Sequence, residues 1–141
     1  MRLGIIAEGK ADIAVIKAVL KALKGIDGSD VVQLRPSEQF DETDLNEMNF
    51  SNWNLVLKSC EDNSLLQSFF DVLADDALLV VQIDTAERGE AGYDINEPLR
   101  TKDTDWKEYC DYLYKAVESK ISNIIPVAYR DKVAYAIAIE E

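Results

Sequence analysis

The chain has 141 residues, a length that suits one domain, and it carries 27 Asp and Glu against 15 Lys and Arg, a formal net charge of −12. Such a surface repels a phosphate backbone and argues against a general nucleic-acid binder, though a bound divalent ion would reverse the field locally. Histidine is absent, which excludes Ser-His and Cys-His nucleophile pairs, imidazole bases and His-based zinc sites within the chain.

The N-terminal run Leu3-Gly4-Ile5-Ile6-Ala7 is short, apolar and followed by Glu8, Gly9, Lys10 and Asp12. It is too short for a signal peptide and reads as a buried strand. No apolar run is long enough for a membrane span, so the expected location is cytoplasmic. From Asp12 onward the spacing is helical. Ile13, Ile16, Val19, Leu20 and Leu23 form the expected buried face, Lys17, Lys21 and Lys24 the solvated one, and Gly25 and Gly28 the stop. Val31–Arg35 reads as a second strand ended by Pro36, and the acidic stretch 37–52 as a loop.

Trp53 to Leu73 has helical periodicity with a break at Asp62-Asn63. Ala77–Ile83 is the most hydrophobic run and reads as a central strand ending at Asp84. Residues 85–100, with Gly89, Gly92, Asn96 and Pro98, read as a long loop, a length that often carries function. Asp103 or Thr104 is the expected cap of a helix running to about Ile121, with Trp106, Tyr109, Cys110, Leu113, Tyr114 and Val117 as its core stripe. Lys132–Ile139 reads as the last strand, running into Glu140-Glu141. Cys60 and Cys110 have neither disulfide nor zinc spacing and read as small buried hydrophobes.

These elements predict a three-layer α/β domain over residues 1–141, with a mostly parallel four-stranded sheet (near 2–8, 31–35, 77–84 and 132–139) flanked by helices. Three of the strands end in acid, at Glu8, Asp84 and Glu140. Ligands of open α/β sheets bind outside the carboxyl ends of the strands, so parallel strands would bring the three acids to the binding edge. Gathered carboxylates require a cation or a retained proton. Taken singly, each acid is a solvated strand end. Asp12 reads equally as a first-turn helix acid, and Lys10 as a solvated cation or a phosphate contact.

The segment Ile6-Ala7-Glu8-Gly9-Lys10-Ala11-Asp12-Ile13 resembles the first motif of the Toprim fold, the metal-binding domain of topoisomerases, primases and overcoming-lysogenization-defect nucleases. Val80-Val81-Gln82-Ile83-Asp84-Thr85-Ala86 resembles the strand that ends in Asp-x-Asp, and Glu90 and Ala136–Glu141 resemble the later acids of small bacterial and phage Toprim-like proteins. The resemblance implies Mg²⁺- or Mn²⁺-dependent phosphodiester hydrolysis, with nucleic acid as substrate. Glu8 would be base or metal-linked acid, and Asp84 with Glu87 or Glu90 the metal site, with Glu140 as a further candidate. The sequence departs from that pattern at Ala86, where the second acid of Asp-x-Asp is missing. The chain also stops where such proteins continue, so either part of the site is absent or the chain is a fragment.

The competing expectation is a non-catalytic module of the same scaffold, binding a protein partner or a second copy. A phosphoacceptor receiver would need an acid pair after the first strand, where Glu8 stands alone. A dinucleotide binder would need Gly-x-Gly-x-x-Gly, which is absent.

Overall fold

The computed structural model describes residues 1–36, 52–73 and 76–140. In chain order the elements are β1 (Arg2–Ile6), α1 (Lys10–Lys24), β2 (Val31–Arg35), α2 (Asn52–Glu61), α3 (Asn63–Leu73), β3 (Ala77–Asp84), α4 (Trp106–Ile124) and β4 (Val133–Ala138), with single 3-10 segments before β2 and β4. All four strands fall where the hydrophobic runs predict them. The break at Asp62 separates α2 from α3, and most of the expected loop at 37–52 lies outside the described residues.

The sheet is parallel throughout, in the order β2-β1-β3-β4. Alternation along the strands sorts its apolar side chains onto two faces. Leu79, Val81 and Ile83 of β3 join the larger core with Trp53 and Val56 of α2, Leu66 and Phe69 of α3, and Leu113, Val117 and Ile121 of α4. Ile5, Ala7, Val31 and Val80 face the opposite way and pack with Ile13 of α1. Helix α1 therefore lies on one face, and α2, α3 and α4 lie on the other. Gly4 permits the close approach of α3, since a Cβ there would stand 2.8 Å from Cζ of Phe69 and 3.0 Å from Cδ1 of Leu34.

Three expectations need correction. Val19 and Leu23 are exposed, because the part of α1 that meets the sheet is the arc of Ile13, Ile16 and Leu20. The cap of α4 is Asp105, whose carboxylate accepts the backbone N–H groups of Lys107 and Glu108 at 3.0 and 3.2 Å. That start puts Trp106 in the first turn, half-exposed at 49%, rather than in the core. Cys60 is buried, and burial pushes its thiol up to about 12, whereas Cys110 is only partly covered. No helix among the described residues is long and apolar enough to cross a membrane.

Candidate carboxylate site at the sheet edge

The chain leaves β1 towards β2 on one side and later returns to β3 on the other, so β1 and β3 are neighbours whose outgoing connections diverge. This divergence is the topological switch point, where open α/β sheets form their ligand crevice. Glu8 follows β1 and Asp84 ends β3, so the two acids stand at the mouth of that crevice.

The two carboxyl groups meet. Glu8 is buried and hydrogen-bonded to Asp84, and its pKa is raised to about 9. Desolvation is the main cause, followed by the hydrogen bond to the Asp84 side chain and by the charge of Asp84. A backbone hydrogen bond from Asp84 works in the opposite direction, and the charge of Glu87 adds a smaller upward push. At neutral pH the pair therefore retains a proton on Glu8.

Their positions are fixed by polar contacts. The N–H of Glu8 donates to Oε1 of Gln82 at 3.0 Å, which accounts for a polar side chain inside an otherwise apolar central strand. Oδ1 of Asp84 accepts the N–H of Ala86 at 3.0 Å, closing a turn directly after the strand. The C=O of Asp84 accepts the hydroxyl of Tyr93 at 2.7 Å. Tyr93 is fully buried against Trp53, their ring centroids 5.3 Å apart, and burial followed by the charges of Glu8 and Asp84 holds its phenol well above the ordinary range.

The segment after Asp84 is more ordered than its composition suggests. Arg88 is buried, and its Nη1 donates to the carbonyls of Thr85 and Glu140 at 2.8 and 3.2 Å. Its Nη2 reaches Oε2 of Glu97 at 3.0 Å and the hydroxyl of Tyr109 at 3.3 Å, and that hydroxyl in turn donates to Glu97. Nε of Arg88 is buried with no hydrogen-bond partner among the described residues. The fully buried Thr85 accepts the N–H of Glu140 at 2.9 Å through Oγ1. One guanidinium and one threonine thus tie the β3 turn to the end of β4 and to α4. Asp94 adopts a left-handed φ of 56°, which Asp tolerates, and its carboxylate accepts the N–H of Gly92 at 3.2 Å.

The remaining candidates divide. Glu87 is half-buried and acts electrostatically on both Glu8 and Tyr93. Glu90 is exposed on the turn, where its carbonyl accepts the N–H groups of Tyr93 and Asp94. Glu140 is exposed, and the contacts it makes to Thr85 and Arg88 run through its backbone. Asp12 lies in the first turn of α1 over Gly9, where an added Cβ would stand 3.3 Å from Oδ2 of Asp12. Gly9 is the N-cap in extended backbone, with no side-chain cap bond to the first turn, and Lys10 opens the helix from an exposed position. Among the described residues no group of three Asp, Glu or Cys side chains converges in the geometry of a metal cage.

Gln82, Thr85, Arg88, Tyr93 and Glu97 were not among the residues singled out by motif. Gln82 was the most findable, as the one polar side chain between Ala77 and Ile83. Comparison of the chain with models of protein families, with curated protein sequences and with solved structures returns no match.

Proposed function

We propose that the Glu8–Asp84 edge binds a divalent cation, Mg²⁺ or Mn²⁺, and that the domain is a Toprim-like phosphodiester hydrolase of the nuclease type. The observation that carries this reading is the contact of two carboxyl groups at the switch point of the sheet. Like charges about 4 Å apart oppose each other by about 4 kcal/mol at an effective dielectric near 20. In the protein alone a proton on Glu8 relieves that cost, and a cation would relieve it with both groups ionised.

The donor set fits a small hard cation. Mg²⁺ keeps several waters and needs only one or two carboxylates together with substrate phosphate, so a three-acid cage is not required. Glu8 and Asp84 would hold it, with Glu87 adding negative charge nearby. A divalent ion there would polarise a phosphoryl oxygen and lower the pKa of bound water. Glu8, once ionised, is the group placed to take a proton from an attacking water. The amides of the first turn of α1 carry the positive end of the helix dipole and favour a phosphate beside Gly9. The turn built by Asp84, Tyr93 and Arg88 keeps the second carboxylate in place.

A non-catalytic module is the second reading, and two observations favour it. Ala86 occupies the place of the second Asp-x-Asp acid, and the cation next along the turn, Arg88, is engaged inward. Thermal unfolding with and without Mg²⁺ or Mn²⁺ separates the two. A ligand held only by the folded state at about 100 times its Kd stabilises by about 2.7 kcal/mol. Asp84→Asn should remove most of that gain, and Asp111→Asn, at an exposed position on α4, should not. Cleavage of single-stranded and duplex DNA and RNA should follow the same order. If wild type gains no stability from either metal, or Asp84→Asn gains as much, the module reading takes its place.

A further inference from the structure

Gln82 is 8% exposed and stands on β3 two residues before Asp84, so alternation puts both side chains on the face of the sheet that carries α1. The orientation of its carboxamide is dictated by its partner. The N–H of Glu8 donates to Oε1 at 3.0 Å, and turning the amide over would set an NH₂ group against that N–H. Nε2 therefore forms the other half of the group, and no hydrogen bond meets it among the described residues. Val80, which precedes it on that face of β3, and Ala136, its register partner on β4, have no polar side-chain atom to offer. The Asp84 carboxylate is already engaged by the N–H of Ala86 and by Glu8.

Anchoring Glu8 needs one acceptor and nothing more. A buried carboxamide brings two donors besides, and donors withdrawn from water without partners are costly. These donors lie at the switch point between β1 and β3, close to the acid pair. They also lie on the side of α1, whose first turn receives no side-chain cap from Gly9. Glu8 and Asp84, once ionised, are acceptors only and cannot hold a phosphate themselves. A Lys or Arg in the place of Gln82 could hold one, but it would also neutralise the acid pair and compete with a metal ion for it. A neutral donor avoids that competition.

We propose that Gln82 is a substrate-contacting residue, whose Oε1 anchors the N–H of Glu8 while its Nε2 donates to a non-bridging oxygen of the phosphodiester. This assignment rests on the hydrolase reading and adds to it the side chain that receives the phosphate.

Heteronuclear NMR of the full chain, with Mg²⁺ added first and a short oligothymidylate second at low temperature, tests the proposal. The side-chain amide signals of Gln82, identified by their loss in Gln82→Glu, should shift on the second addition. Those of Gln33, whose Nε2 donates to the carbonyl of Pro36, and of the exposed Gln67 on α3 should stay. Gln82→Glu retains the acceptor for Glu8, so it should keep the fold and bind Mg²⁺ at least as well as wild type. Its affinity for the oligonucleotide should fall by about tenfold or more. Gln82→Met, which adds no charge, should lose oligonucleotide affinity as well. Gln82 amide signals that ignore the oligonucleotide, while the backbone signals of Glu8 and Asp84 respond to it, overturn the assignment and leave the hydrolase reading standing. Oligonucleotide affinity unchanged in both variants overturns it too. Backbone signals of Glu8 and Asp84 that respond neither to Mg²⁺ nor to the oligonucleotide overturn both.

Discussion

Replacing Glu8 with Gln should remove a pH dependence of stability that the wild-type protein carries. The folded state holds a proton on Glu8 up to a pKa of about 9, whereas the unfolded chain releases it near 4.5. Between those values unfolding releases a proton, so stability is greatest below pH 4.5 as far as this group is concerned and declines as pH rises towards 9. One proton corresponds to about 1.4 kcal/mol per pH unit, an upper bound of about 4 kcal/mol between pH 5 and 8. Asp84 is only partly buried, so solvent screening reduces the effect to about 2 kcal/mol. For a domain of this size that is roughly 5–10 °C in Tm. The assay is urea or thermal unfolding from pH 5 to 8 in a metal chelator. Other carboxylates add their own repulsion at high pH, so the informative quantity is the difference between wild type and Glu8→Gln. Equal slopes for the two proteins would refute the shared-proton description of the Glu8–Asp84 pair.

Four further outcomes are expected. Metal affinity, measured by calorimetry, should rise with pH and release close to one proton from Glu8 per ion bound below pH 9, and a pH-independent affinity would remove Glu8 from the ligand set. Arg88→Leu should cost about 2–4 kcal/mol in urea unfolding, because it strands Glu97 and the carbonyls of Thr85 and Glu140. Gly4→Ala should cost about 1–3 kcal/mol by forcing a methyl group against Phe69, and a neutral result would mean that α3 shifts freely. Asp105→Ala should cost about 1 kcal/mol through loss of the α4 cap, whereas Asp103→Ala should be close to neutral.

The strands were legible in the sequence because each is a short apolar run stopped by a charged or turn residue. Their parallel order followed from the amphipathic helices between them. Glu8 and Asp84 were legible for the same reason, as acids that terminate such runs. The rest of the site was not, because its signal is long-range. Arg88 and Glu97 lie in a stretch whose Gly, Asn and Pro content reads as solvated loop, and burial of that pair depends on Tyr109 arriving from α4. Glu140 contributes a carbonyl and an N–H, which no side-chain motif can express. Val19 and Leu23 fit the apolar period of α1, but periodicity gives the width of an apolar arc and not what covers it. The error at Trp106 has a different origin. Tyr109, Leu113, Val117 and Ile121 keep the expected buried stripe, but the helix starts only at Trp106, so that ring sits in the first turn at the end of the helix instead of over the core.

The construction around Asp84 bears on which functional reading deserves the first experiment. A scaffold that needed only a protein-binding surface could leave two strand ends free in water, where their charges would repel weakly and at little cost. In this chain the two ends are instead drawn together by buried groups. Gln82 holds the backbone of Glu8, Tyr93 holds the carbonyl of Asp84, and Arg88 with Thr85 fastens the turn between β3 and the end of β4. Each buried polar group must be desolvated to take its place, and leaving its partner unmet would cost about 1–3 kcal/mol. Such an arrangement stabilises one geometry of an acid pair whose own interaction is unfavourable when both groups are ionised. Precise placement of mutually repelling carboxylates is of use to a ligand that lies between them, and of little use to a flat contact surface. This is why the metal-response comparison of wild type with Asp84→Asn comes before any search for a macromolecular partner at that edge.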